Sequence, residues 1–223
     1  MGGLSRGKRA GKLVKTVAGK DGHVDCLDAY VDHRSMPRPK SEDKRRAILA
    51  AATRIIVTQG LSASTMGIAK EAGVANGSLF TYFATKSDLF NALYLELKVE
   101  MASAAMEGLR ESDELREQVF QVWQNWMNWA LSFPEKRRAL AQLGVSDEIT
   151  PSTRTAASRA MAGAAKLMQR VRANGSMRTA SMAFVLTLMN SLAEATMDFI
   201  AEDPANAKKH CRVGFDALWR MVA

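Results

Sequence analysis

Asn76, Ser78 and Thr81 are the residues whose type and spacing suggest chemistry most directly. With Gly77, they occupy the outward positions of a segment whose inward or sideways positions are Leu79, Tyr82 and Phe83. A helix face that meets only water usually carries Lys and Glu. This one carries an amide, two hydroxyls and a glycine, groups short enough to approach base edges and phosphates closely.

The elements that must position this face are readable on either side. Ser64 or Thr65 can cap a preceding helix whose inward positions are Ile68, Ala69 and Ala72. Gly73 ends that helix by accepting a left-handed conformation, and Val74 plugs the turn. Ala69 is small where the two helices cross. A small residue, a glycine and an aliphatic plug at these offsets form the helix-turn-helix pattern. Upstream, Ala47, Ile48, Ala51, Ala52, Ile55 and Ile56 repeat at helical spacing between a capping Ser41 and a terminating Gly60. Downstream, Thr85-Lys86-Ser87-Asp88 reads as a capping box opening a helix with Leu89, Leu93, Leu97 and Met101 at four-residue intervals.

These residues resemble the tetracycline-repressor (TetR) family of transcription regulators. The likeness runs over about Ser41 to Leu97, through Ile68–Val74, Gly77-Ser78-Leu79-Phe80, Tyr82-Phe83 and Lys86–Leu89. The resemblance implies that Thr65 touches a phosphate, and that Asn76, Gly77, Ser78 and Thr81 meet bases or adjacent phosphates. Phe80 would pack on a sugar or a thymine methyl, and Tyr82 and Lys86 would bind phosphates across the groove. Met66-Gly67 departs from the polar or charged pair common in the family, which moves base readout toward the second helix of the motif.

The chain has 223 residues, 47% of them hydrophobic and 24% charged, which describes a globular protein with a sizeable core. Its net charge is +8, but residues 1–40 hold nine Lys/Arg against four Asp, so most of the excess lies in that leader. Charge alone does not identify a DNA binder; the motif does. Residues 1–40 read as a basic, disordered extension with no signal-peptide core. Met36-Pro37-Arg38-Pro39-Lys40 reads as an alternative natural start. His23, Asp25, Cys26, Asp28 and His33 match no metal-ligand spacing, so neither a metal nor a cofactor is expected. Cys26 and Cys211 form no disulfide framework, which fits a reducing cytoplasm.

From about Asp88 the chain reads as helices throughout, with stops at Phe133-Pro134, Thr150-Pro151, Asn174-Gly175 and Asp203-Pro204. The expected fold is all-α: a three-helix head over residues 41–88, then a ligand-binding and dimerisation bundle over 89–223. Phe120, Trp123, Trp126 and Met127 are candidates for one wall of an apolar cavity. Met161 and Met168, on an expected helix from Pro151 to Arg172, are candidates for the other, with Gln124 and Asn125 as polar contacts. Core packing is the competing reading of the tryptophans. The uncharged stretch Thr179–Ala193 is too short and polar to span a membrane and must be buried on several sides. Phe184, Leu188 and Leu192, with Val213, Leu218 and Trp219 of the last helix, are expected to meet a second copy of the chain. The expected partners are therefore double-stranded DNA carrying a pseudopalindrome, a largely apolar small molecule and a second subunit. No catalytic constellation is present in the helical body. The alternatives are an architectural DNA-binding dimer without a ligand, and an enzyme bearing an incidental helix-turn-helix.

Overall fold

The computed structural model describes residues 40–223. Met36 and the His23–His33 cluster lie outside the described residues. These residues form ten α-helices and two 3-10 turns, with no strand among them. The head comprises α1 (Lys40–Gln59), a 3-10 turn (Gly60–Ser62), α2 (Thr65–Glu71) and α3 (Asn76–Tyr82). The rest comprises α4 (Lys86–Met106), α5 (Leu115–Ser132), α6 (Pro134–Gly144), α7 (Pro151–Ala160), α8 (Ala162–Arg172), α9 (Met182–Glu202) and α10 (Ala207–Val222).

Local chemistry sets the head's boundaries. Helix α1 is helical from Lys40, so Ser41 lies within its first turn and does not cap it. It buries Ile48, Ala51, Ala52 and Ile56 completely and stops at Gly60, whose φ of 72° favours glycine. The Ser64 hydroxyl accepts the Gly67 N–H at 3.0 Å and so caps α2; Thr65 is the first helical residue. At the other end of α2, the Val74 N–H reaches the Ala69 carbonyl (3.0 Å) and the Gly73 N–H reaches that of Lys70 (3.1 Å). That is a Schellman closure, and it requires the left-handed φ of 67° at Gly73. Helix α4 opens on a complete capping box. The Thr85 hydroxyl accepts the Asp88 N–H, and the Asp88 carboxylate accepts the Thr85 N–H, both at 3.0 Å.

Helix α4 is continuous across residue 88. Its first turns bury Leu89, Phe90 and Leu93, and its later turns bury Leu97, Met101 and Ala105. Helix α1 of the head also packs on α6. The loop before α7 is tied to α4 as well. The Asn91 side chain donates to the Glu148 carbonyl (2.7 Å) and accepts the Thr150 N–H (2.9 Å).

Two helices differ from expectation. The segment from Pro151 to Arg172 is two helices, broken at Met161, whose ψ is 3°. The break lies beside Gly163, where a β-carbon would come within 2.9 Å of the Met106 methyl. Helix α9 begins at Met182, capped by Ser181, and runs 21 residues through Glu194 and Asp198. By length and composition alone it is long and apolar enough to cross a membrane. Here it packs on α10 and α5, and Arg137 of α6 pairs with its Glu194 and Asp198 carboxylates, each at 2.6 Å. Close approach of α10 depends on Gly214. A β-carbon there would stand 2.4 Å from Thr196 Oγ1 and 3.1 Å from the Trp123 ring.

Candidate DNA interface and bundle cavity

Leu79 and Phe83 anchor α3 in the head core, which fixes the outward direction of the remaining positions. Asn76, Gly77, Phe80 and Thr81 are exposed, and Ser78 is half-buried. The Thr81 hydroxyl donates back to the Gly77 carbonyl at 3.4 Å. A β-carbon on Gly77 would meet nothing within 4 Å, so nothing inside the protein requires a glycine there. Tyr82 is half-buried against the head core, and Thr65 is half-buried at the start of α2. Beside Thr65, Met66 is 68% exposed. Lys86, expected at a phosphate, already has partners within the protein. Its ammonium donates to the Leu61 carbonyl at 2.6 Å and lies 5.1 Å from the centre of the Phe90 ring. It braces the 3-10 turn against α4.

The bundle holds an apolar cavity between α4, α5, α8, α9 and α10. Trp123 and Trp126, with Val119 and Val122, form the α5 wall, and Met161, Leu167 and Met168 face them. The two indoles meet edge to face at 6.3 Å, and the Trp123 N–H is held by the Cys211 carbonyl at 3.1 Å. Burial pushes the pKa of the Cys211 thiol up, which fits a structural residue. The free volume is about 30 Å³, room for one or two waters and no more.

Several expected cavity residues lie elsewhere. Phe120 turns away from the cavity, packs on Phe215 at 4.9 Å and carries the Arg212 guanidinium 3.9 Å from its ring centre. Met127 is buried in the core but does not line the cavity. Asn125 closes the end of α4 by donating to the carbonyls of Ala105 and Glu107, and Gln124 is not part of the lining. The cause is helical phase. Positions 119, 122, 123 and 126 share one side of α5, while 120 and 127 flank it.

Sequence reasoning missed the mouth. A cleft of about 430 Å³ opens against the cavity and shares Met101, Met161, Ala164 and Met189 with it. Its polar groups are Tyr94, Lys98, Arg154, Ser158 and Asn190. Desolvation lowers the pKa of Lys98, with Glu194 opposing, and raises that of Tyr94, with Arg154 opposing. The Lys98 ammonium lies 5.8 Å from the centre of the Tyr94 ring. A cation on the apolar stripe of Leu97 and Met101 was the available signal.

The expected dimer residues also divide. Phe184 (53% exposed) and Val213 (60%) are open, and Leu188 is half-buried. Leu192 and Trp219 are half-buried and pack on the core. Leu218 is 1% exposed and lines the cavity, so it cannot meet a partner. Phe199, 60% exposed, shares the outer face of α9 with Phe184 and was not anticipated.

A glycine-closed helix pair, seated on a three-helix head and continuous with a helical bundle, defines the class of helix-turn-helix regulators. Residues 48–93 match the model of the bacterial regulatory proteins of the tetR family. Over 80 residues the chain is 36% identical to the uncharacterized HTH-type transcriptional regulator YhgD of Bacillus subtilis (strain 168). That match covers 35% of this chain and 42% of YhgD. A crystal structure assigned to the tetR family from Shewanella sp. PV-4 superposes with a TM-score of 0.72 at 27% identity, over 79% of this chain and 96% of that one. A TetR family transcription regulator from Marinobacter aquaeolei VT8 shares the fold, with a TM-score of 0.72 at 21% identity over 82% of this chain and 97% of that one. Residues 48–93 thus carry the DNA-binding domain of the tetR-family regulators, and the described residues share the fold of solved TetR-family structures.

Proposed function

We propose that this chain is a homodimeric DNA-binding repressor that releases its operator when a small molecule enters the bundle cavity. The observation that carries the reading is α4. One continuous helix opens on the capping box beside α3 and lends Met101 and Ala105 to the cavity wall. An effector larger than the 30 Å³ cavity must push the wall helices apart, and α4 is one of them. The Asn91 clamp to Glu148 and Thr150 ties the same helix to the loop before α7, so movement at either end reaches the head.

On DNA, Asn76, Gly77, Ser78, Phe80 and Thr81 face the major groove, with Thr65 and Tyr82 toward the phosphates. Exposed Met66 adds an apolar contact suited to a thymine methyl. The dimer forms through the outer faces of α9 and α10, centred on Phe184, Leu188, Phe199 and Val213. It presents two α3 helices one DNA turn apart, about 34–36 Å. Coupling of about 1–3 kcal/mol per effector makes a useful switch. DNA as target makes the cytoplasm the working compartment.

The test begins by selecting bound fragments from random DNA. The expected product is a pseudopalindrome with half-sites about one turn apart. Asn76→Ala should relax base preference within each half-site, and Phe184→Glu should yield a monomer with weakened operator binding. A consensus lacking two-fold symmetry, or a Phe184→Glu protein that stays dimeric, overturns the corresponding part. The small cavity favours a second reading, an architectural DNA-binding dimer without an effector. DNA binding that no cavity-occupying molecule alters would establish it.

A further inference from the structure

Two cavities of opposite character share one wall. The inner one has no ionisable lining residue. The outer cleft has two cationic groups, Lys98 and Arg154, and no acidic side chain lines it. Among the described residues the Lys98 ammonium has no hydrogen-bond or ion-pair partner. Glu194, the acid that opposes its desolvation, is already engaged by Arg137 at 2.6 Å. A partly desolvated cation without a counter-ion is unfavourable unless something of opposite charge completes it.

The other polar groups of the cleft suit the same partner. Tyr94 and Asn190 offer donors to an anion, while the Ser158 hydroxyl already donates to the Arg154 carbonyl at 2.9 Å. The Arg154 guanidinium already donates to the carbonyls of Gly144 and Ser146, both at 2.9 Å, which holds it rigidly with N–H groups to spare.

We propose that the effector is an amphipathic anion, its carboxylate or phosphate seated between Lys98 and Arg154 and its apolar chain threaded past Met101 and Met161 to Trp123 and Trp126. The inference rests on the cavity being the effector site. It also supplies a trigger. Gly144 and Ser146 sit at the end of α6, and α6 packs on α1 of the head. An anion that draws the Arg154 guanidinium toward itself weakens its hold on those carbonyls and loosens α6 where it supports the head.

The experiment compares decanoate, decanol and decylamine on the full chain, read by quenching of tryptophan fluorescence. Decanoate should bind at least ten times more tightly than either of the others. Lys98→Met should erase that preference, with Lys98→Gln as a second variant if the first misfolds. Equal binding of decanol and decanoate, or a preference for decylamine, overturns the anion assignment and leaves the cavity reading standing. A preference for decanoate that survives both variants overturns the role of Lys98. If none of the three chains perturbs the fluorescence, the cavity reading falls and the inference with it.

Discussion

Gly77→Ala separates what α3 needs for folding from what it needs for DNA. Gly77 lies inside a helix, lacks a positive φ, and has open space where a β-carbon would stand. Glycine in a helix is less favourable than alanine by about 0.5–1 kcal/mol. With no clash to offset that gain, the variant should be more stable by about that amount. For a domain of this size it raises the melting temperature by roughly 1–4 °C. On DNA the sign reverses. A methyl group on this face holds the helix off the phosphate or base it would otherwise approach, and a hydrogen bond to a charged group contributes about 1.5–3 kcal/mol. Losing one such contact in each head of a dimer should weaken operator binding by at least about tenfold. Thermal melts and fluorescence anisotropy on the selected operator, at one fixed salt concentration, read the two effects separately. A lower melting temperature would refute the open-space argument. A higher one with unchanged operator affinity would show that this end of α3 does not face DNA.

Met127→Ala should cost about 2–5 kcal/mol in denaturant unfolding while leaving effector affinity unchanged, because Met127 is core and not cavity wall. Gly214→Ala should cost about 1–3 kcal/mol by forcing α10 off Thr196, and the double variant with Thr196→Ala should recover part of that loss. Additive losses would show that the contact with Thr196 is not the cause. Lys98→Met should be more stable than the wild type at neutral pH. Burial holds the folded-state pKa of Lys98 below 10.5, so folding is penalised while the amine is charged in both states. The penalty fades as pH rises through the folded pKa toward 10.5, and the gap between the two proteins should close there. Paired denaturant melts at pH 7 and pH 10 measure it.

The head was legible in the sequence because its signals act within one turn of the chain. Ser64, Gly73 and the Thr85/Asp88 pair each satisfy a local backbone requirement that holds whatever packs around them. The cavity was half legible. The periodicity of α5 groups Trp123 with Trp126, but that helix is apolar on several sides, so period alone does not say which side faces a void. Met127 and Phe120 were misplaced for that reason, and Leu218 because α10 carries apolar residues on both its inner and outer faces. Lys98 and Arg154 lie 56 positions apart on different helices, and only the packing of α7 against α4 brings them to one cleft. The break at Met161 has no proline to announce it, only a glycine two residues on.

The nearly filled cavity makes size a signal in its own right. A ligand short enough to nestle among the existing side chains would occupy the site without displacing a helix, and would act as an antagonist. A longer homologue with the same headgroup would act as an agonist. Along a series of increasing chain length, occupancy and induction should therefore part company, with the first members binding silently and blocking those that follow. Such a regulator measures length against its own resting volume, and an enzyme that shortens the effector by a few carbons would switch the response off before the molecule is gone.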